Sequence, residues 1–296
     1  MNGRFYFTCV ATVVACVSPS MAQERFDSPE VATKALITAA GDHDPAEILK
    51  VLGPDAKQIL SSGHPEQDRA EQDEFVREAS GKHRIQISQM DRDRAVISIG
   101  DQDWPFPVPL VRTDGKWHFD ASVAPMEMRA RRIGANELDA IDICRGYADA
   151  QHRYASVERN KDGMLEYAPH LMSASGKHDG LYWTGGGAPL VPDGFAEAEW
   201  DGAVKGRAKP YHGYYFRVLD KQGPNAPGGE HNYVVNHKLI GGFGLVAWPA
   251  EYGVTGVHTF IVNQDGLVYE KDIPPVAGKS IPVTSFDPDH SWQAVD

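Results

Sequence analysis

The spacing of apolar residues changes along the chain, and the first half moves from a helical to a strand-like pattern. Ser28-Pro29 and Asp44-Pro45 each place a capping side chain before a proline, which is typical of a helix start. A third, charge-rich helix is predicted over residues 65–79. Over residues 85–120 the apolar positions alternate with polar ones, which predicts antiparallel strands joined by short turns.

The second half opens with one long helical stretch. Residues 125–156 carry the helical pattern, and we expect an interruption near Gly134 because glycine weakens a helix interior. A polar, glycine-rich segment follows over residues 161–209. Short runs of β-branched and aromatic residues then occupy residues 211–271, with Gln264-Asp265-Gly266 typical of a hairpin turn. The pattern therefore predicts a helix followed by an antiparallel meander.

Both halves predict an α+β fold, with a domain boundary after residue 124. In residues 23–124, helices precede a curved antiparallel sheet, an arrangement that resembles cystatin-like and nuclear-transport-factor-like cones. Residues 125–296 resemble the helix and antiparallel meander of pilins and pseudopilins. They depart from the pilin pattern because residues 125–145 are charged, whereas pilins carry an apolar helix there. A fold of either kind does not by itself give a function.

Residues 1–22 have the pattern of a secretory signal peptide. Arg4 precedes a run from Phe5 to Val17 that is apolar apart from two threonines, and Ser20-Met21-Ala22 supplies the small residues of a cleavage site. A membrane-spanning helix needs about 20 apolar residues, and no other run in the chain is long or apolar enough. We therefore expect export to the periplasm or the extracellular medium, with no transmembrane segment after removal of the signal.

The cysteines leave one alternative open for the processing of the N-terminus. Val13-Val14-Ala15-Cys16 loosely matches a lipoprotein box, in which Cys16 becomes lipidated. Valine is a weak match at its first position, so cleavage after Ala22 is favoured. Cys144 is then the only cysteine of the mature chain. Its place in a predicted helix over residues 136–154 favours a buried, inert thiol over a nucleophile.

Composition and missing motifs narrow the function classes. The chain has 29 Lys and Arg against 41 Asp and Glu, a formal charge of −12 that argues against nucleic-acid binding. It contains no Gly-x-Ser-x-Gly, no His-Glu-x-x-His and no phosphate-binding glycine motif. These absences favour a protein without enzymatic activity, and they point to no cofactor other than a calcium ion.

One segment has part of the pattern of a calcium-binding loop. Oxygen-bearing side chains alternate and are followed by Gly163, which allows a loop to wrap around a hard cation. The twelfth position is Pro169 rather than the bidentate glutamate of such loops. The alternative is a helix end followed by an Asn-Lys-Asp-Gly turn. The candidate calcium ligands are Glu158, Asn160, Asp162 and Glu166.

Two histidines and a carboxylate are the candidates for catalysis. His178 and Asp179 lie in a loop flanked by glycines, and His212 lies at the start of a predicted strand. A histidine and a carboxylate can act together as a general base and acid. The alternative is loop packing, in which these side chains bury rings and satisfy backbone groups.

Six sequence strings distributed over both halves match a known family. They are Asp101–Pro107, Gly176–Trp183, Pro210–Phe216, Gln222–Gly229, Ala247–Gly253 and Asn263–Glu270. On these strings the chain after the signal resembles a bacterial family of exported proteins, domain of unknown function 2950. The resemblance implies an exported envelope or secreted protein, and it carries over no activity, substrate or catalytic residue.

Three functions follow as hypotheses. The first is an exported, non-enzymatic binding or assembly module that recognises an envelope protein or a small ligand. The second is a periplasmic hydrolase that uses His178, Asp179 and His212. The third is a structural module stabilised by calcium.

Overall fold

The computed structural model describes residues 23–295 apart from residues 59, 61–64, 160–162, 201–207 and 277–280. The signal sequence predicted over residues 1–22 lies outside this range. The chain divides into two compact units after Glu127. Each unit combines helices with an antiparallel sheet, so the α+β class is confirmed. Among the described helices, none is long and apolar enough to cross a membrane.

The first unit follows the predicted order of helices and then strands. Ser28 Oγ accepts a hydrogen bond from the Val31 amide, and Asp44 Oδ1 accepts one from the Ala46 amide, so both predicted helix starts are confirmed. Its described elements are α1 (Pro29–Gly41), α2 (Pro45–Leu52), α3 (Pro65–Gly81), β1 (His83–Ile87), β2 (Arg94–Ile99), β3 (Trp104–Pro105), β4 (Leu110–Thr113) and β5 (Lys116–Phe119).

Prolines explain the one difference in this unit from the predicted strands. The sheet has the order β1-β2-β4-β5, with β3 paired to β2. The strand expected over residues 104–111 is split into β3 and β4. Pro105, Pro107 and Pro109 carry no N–H groups for a continuous ladder. The core between the helices and the sheet includes Leu36, Ile48, Ile97, Leu110 and Phe119.

The second unit contains the long helix and the meander that the sequence predicts. The interruption expected near Gly134 is wrong, since one glycine costs at most about 1 kcal/mol relative to alanine and tertiary packing outweighs it. The helices are α4 (Ala124–Ala155) and α5 (Asp193–Glu197). The strands are β6 (His170–Met172), β7 (Gly180–Tyr182), β8 (Tyr214–Leu219), β9 (Lys221–Gln222), β10 (His231–Asn232), β11 (Val234–Val235), β12 (Lys238–Leu239), β13 (Gly244–Pro249), β14 (His258–Asn263), β15 (Val268–Asp272) and β16 (Gln293–Val295).

The main sheet of the second unit has both faces covered. Its order is β16-β15-β14-β13-β8, and every pair is antiparallel. Cys144, Tyr147 and Tyr154 of α4 belong to the same buried cluster as side chains from β8, β13 and β14. A separate cluster around Phe286, with Trp292 packed against it, joins the C-terminal segment to the sheet.

A parallel pair of short strands lies in the segment that the sequence left without elements. His170 of β6 pairs with Gly180 of β7, and Met172 pairs with Tyr182. A Cβ atom at Gly180 would lie 2.7 Å from the backbone of Met172 and of Ser173. The close approach of two backbones therefore requires glycine here, and it sets the shape of the loop that holds His178.

Replacing two glycines in turn tests whether this approach is a requirement. We expect Gly180→Ala to lower the free energy of unfolding by about 1–3 kcal/mol, because rigid backbone must shift to admit the methyl group. The control is Gly146→Ala on the exposed face of α4, where nothing lies within 4 Å of the added Cβ. The control should raise stability by about 0.5–1 kcal/mol. Chemical denaturation measures both, and a Gly180→Ala protein as stable as the wild type would contradict the assignment.

Candidate functional site

His178 is fixed by an aromatic ring and not by a carboxylate. Its imidazole stacks on the Trp183 indole, with ring centroids 4.7 Å apart and an interplanar angle of 22°. The Tyr154 hydroxyl at the end of α4 donates to the His178 carbonyl oxygen at 2.7 Å. A Cβ at Gly186 would lie 3.2 Å from the imidazole Cε1 atom, so the following glycine loop passes close to the ring. Backbone and ring of His178 are therefore both held in place.

Asp179 closes its own loop. Its Oδ1 atom accepts a hydrogen bond from the Ala174 amide at 2.8 Å, and Oδ2 lies 3.8 Å from Lys177 Nζ. Neither carboxylate oxygen is hydrogen-bonded to an imidazole among the described residues. The geometry around Asp179 is that of a loop-stabilising acceptor.

Arg159 completes an arrangement that the sequence did not reveal. Its guanidinium lies over the Tyr154 ring, 4.2 Å from the centroid, and 5.4 Å from the centroid of Trp183. We call Tyr154, Arg159, His178 and Trp183 the aromatic–arginine cluster. Burial raises the pKa of Tyr154 to about 12, and the nearby Arg159 charge opposes that rise. The cluster thus combines three rings with one cation.

Two hydrogen-bond donors of the cluster have no acceptor among the residues that the structure describes. Trp183 is only 7 % exposed, and its Nε1 atom is enclosed without a partner. Arg159 Nε is also enclosed without a partner. Within the part of the chain that the structure describes, Arg159 forms no ion pair with a carboxylate. Buried polar groups are nearly always hydrogen-bonded, so two neighbouring exceptions mark a place where an acceptor is missing.

Among the described residues of the second unit, His212 has the shortest distance from a histidine ring nitrogen to a carboxylate oxygen. It occupies a tight turn with φ +48°, followed by Gly213 with φ +77°, while Tyr211 and Tyr214 exchange backbone hydrogen bonds across the turn. Positive φ at both central residues is the type I′ geometry. The His212 Nδ1 atom lies 2.6 Å from Asp139 Oδ2 on α4. With Nδ1–H donating to the carboxylate, Nε2 is an acceptor.

The three predicted catalytic residues make separate contacts. His178 stacks on Trp183, Asp179 binds the Ala174 amide, and His212 pairs with Asp139. No hydrogen bond or ring contact in the described chain joins the loop of His178 to the turn of His212. Asp139 was not selected from the sequence because it is 73 residues away and has no motif around it.

Two of the four candidate calcium ligands can be placed. Glu158 Oε1 accepts a hydrogen bond from the Gly163 amide at 2.9 Å. Glu166 is largely buried, and its Oε2 atom lies 3.7 Å from Lys238 Nζ. Asn160 and Asp162 lie outside the described residues. Across the residues that are described, no group of three or more His, Cys, Asp and Glu side chains is arranged to hold a metal ion. The calcium loop stays a prediction.

Cys144 has the buried environment expected from its place in the helical pattern. It is fully buried in α4, and burial raises the pKa of its thiol to about 12. A thiol with so high a pKa is almost entirely protonated at neutral pH, and the thiolate is the reactive form. The expectation of a buried cysteine is therefore confirmed, and its lack of reactivity stays a prediction.

Thiol labelling of the chain from residue 23 onward tests this environment. At pH 8 we expect Cys144 of the native protein to resist a disulfide-exchange reagent, because only about one thiol in ten thousand is ionised and solvent does not reach it. In denaturant the same thiol should react completely. Rapid labelling of the native protein would contradict the burial of this face of α4.

Comparison with known proteins identifies a family for this chain but no individual similar protein or structure. The model of the family described as protein of unknown function (DUF2950) matches residues 23–295. The chain therefore belongs to this family, and the resemblance found in its sequence strings is confirmed. No match was found among curated proteins or among solved structures.

Proposed function

We propose that this member of the DUF2950 family is an exported, non-enzymatic binding protein whose second unit takes a small ligand at the aromatic–arginine cluster. One observation carries the proposal: Arg159 and Trp183 present buried donors side by side, and no acceptor among the described residues satisfies either of them. Small-molecule sites combine apolar or aromatic walls with a few convergent polar groups. Tyr154, His178 and Trp183 supply such walls around the two donors.

Energetics support a ligand at this place. A buried donor without an acceptor costs about 1–3 kcal/mol relative to a satisfied one. The cost is incurred in the unliganded protein and is relieved when an acceptor arrives. A ligand oxygen at Arg159 and Trp183 would thus gain more than the same oxygen at an ordinary surface, where water already satisfies the donors.

The state of His178 and Asp179 supports binding over catalysis at this loop. A general base needs an accessible nitrogen and, in most cases, a partner that orients its ring. The partner of His178 is the flat face of Trp183, and the Asp179 carboxylate is bound to the Ala174 amide. Stacking on Trp183 orients the imidazole, and no carboxylate is bound to the ring among the described residues.

The sequence supports the exported location. Residues 1–22 carry the signal pattern, and the family match begins at Gln23, the residue that follows the predicted cleavage site. Release into the periplasm or the medium is the form we propose, and lipidation of Cys16 is the alternative. We also propose the finer resemblances as working assignments, a cone for residues 23–124 and a pseudopilin-like arrangement for residues 125–296.

A thermal-shift experiment on residues 23–296 tests the binding function. The panel contains envelope-derived sugars, peptides and lipids, together with calcium and a chelator. We expect at least one organic compound to raise the melting temperature by several degrees, because a ligand bound only by the native state stabilises it. Trp183→Phe should lose the shift, and Trp104→Phe in the first unit should keep it.

Two results of the same experiment would contradict the proposal. A shift with calcium alone, reversed by the chelator, would favour the calcium-stabilised module and the loop around Glu158. No shift with any compound, combined with capture of one envelope protein in a pull-down, would favour an assembly module without a small ligand.

A second candidate function rests on His212 and Asp139. The carboxylate orients the imidazole, as in histidine–aspartate pairs of hydrolases. Nε2 would remove a proton from water, the water oxygen would attack a carbonyl carbon, and the proton would pass to the leaving group. No nucleophile motif accompanies the pair, so we rank this hydrolase hypothesis below the binding function.

Turnover assays distinguish the two functions. On ester, amide and glycoside panels we expect no hydrolysis by residues 23–296 above the rate of the His212→Asn variant. Asparagine tolerates positive φ, so this variant keeps the turn and removes the base. Hydrolysis that disappears in His212→Asn and in Asp139→Asn, but persists in His178→Gln, would contradict the non-enzymatic proposal and support a hydrolase.

A further inference from the structure

We infer that the ligand of the aromatic–arginine cluster carries a carboxylate, which the guanidinium of Arg159 binds. This inference rests on the proposed binding function and adds the chemical class of the ligand. It follows from the way in which the guanidinium is held, from the kind of polar group around it, and from the local charge.

The guanidinium of Arg159 is preorganised. Stacking on Tyr154 at 4.2 Å covers one face of its plane, so its hydrogen bonds must be made in the plane and at the edges. Its Nε atom is enclosed and has no hydrogen-bond partner among the described residues. Arg84 and Arg112 in the first unit, by contrast, are each paired with an aspartate. Arg159 is thus held against an aromatic ring and has no carboxylate partner among the described residues, although a guanidinium suits a bidentate carboxylate.

The two enclosed polar atoms of the cluster that lack partners among the described residues, Arg159 Nε and Trp183 Nε1, are both hydrogen-bond donors. Arginine and the indole of tryptophan donate hydrogen bonds and accept none. The Tyr154 hydroxyl already donates to the His178 carbonyl oxygen. A neutral sugar brings hydroxyl protons that need acceptors as well as oxygens that need donors, and neither of the two enclosed donors can accept those protons. A ligand that only accepts, such as an anion, matches the site.

Local charge favours a single negative charge over two. The site lies at the C-terminal end of α4, where the helix dipole is negative and opposes anions. Glu166 and Asp179 are close enough to raise the pKa of Tyr154. The whole chain has a formal charge of −12. One arginine balances the charge of a monoanion in this environment, whereas a phosphate dianion would keep one excess negative charge beside it. A planar carboxylate also matches the fork of the guanidinium.

Aromatic rings around the arginine favour a carboxylate attached to a flat or apolar group. Ligand atoms next to the guanidinium would lie beside Trp183 and Tyr154, whose rings gain from contact with apolar or aromatic surface. Benzoate is the simplest probe with both parts. Benzamide has the same shape without the charge, and phenyl phosphate has the same ring with a second negative charge.

Isothermal titration calorimetry of these three probes into residues 23–296 tests the inference. We expect benzoate to bind at millimolar concentrations, and benzamide and phenyl phosphate to bind at least about tenfold more weakly. Arg159→Gln should weaken benzoate binding by about tenfold or more. Arg159→Lys should weaken it to a similar degree, because lysine keeps the charge but loses both the fork and the stacking. Arg153→Gln makes the same charge change on an exposed turn of α4 and should leave affinity within about twofold.

The outcomes separate this inference from the proposed function. Benzoate binding that survives Arg159→Gln and Arg159→Lys, equal binding of benzamide, tighter binding of phenyl phosphate, or no heat with benzoate would each overturn the carboxylate assignment. If a neutral compound from the thermal-shift panel still binds and requires Trp183, the binding function stands while the carboxylate class fails. If no compound binds at all, both fail.

Discussion

The second unit depends on one buried polar side chain. Gln151 of α4 is fully buried, its Oε1 accepts from the Ala168 amide at 2.8 Å, and its Nε2 donates to the Ala168 carbonyl at 2.8 Å. Nε2 also donates to the Tyr147 hydroxyl, which donates in turn to the Gly244 carbonyl of β13. The Gln151 side chain thus satisfies both the N–H and the carbonyl group of Ala168, as the backbone of a neighbouring strand would. A buried network of this kind is stable only when every member is satisfied, so it fixes the helix, the sheet and the chain near Ala168 together.

The position of the aromatic–arginine cluster follows from that network. Ala168 leads directly into β6, and β6 aligns β7 through the close approach at Gly180. Tyr154 lies three residues after Gln151, on the same side of α4, and its hydroxyl binds the His178 carbonyl. Helix, strand pair and loop therefore converge on one place. Arg159 lies at the same place because α4 ends at Ala155, only four residues earlier in the chain.

Local pattern was enough to predict most of the elements. Capping residues located α1 and α2, and runs of β-branched and aromatic residues located β8, β13, β14 and β15, because these signals lie in neighbouring residues. Prediction failed where an element depends on a contact that no local pattern of residues reveals. The β6–β7 pair depends on two backbones meeting at Gly180. The continuity of α4 through Gly134 depends on tertiary packing of the helix, which outweighs the local cost of one glycine.

The candidate site shows the same division. The sequence pointed to the loop of His178 and to His212, but it did not reveal the side chains that define what each can do. Asp139 and Arg159 belong to no motif. Asp139 contacts His212 across 73 residues of chain, and Arg159 contacts Trp183 across 24.

In the function proposed above, an acceptor group of a ligand completes the donors of Arg159 and Trp183. A ¹⁵N correlation spectrum of residues 23–296 tests it most directly, because each of the six tryptophans gives its own indole N–H signal. Loss of one signal in Trp183→Phe assigns that residue, and benzoate should then shift the Trp183 signal while the other five stay in place. An unmoved Trp183 signal in a protein saturated with benzoate would contradict the account.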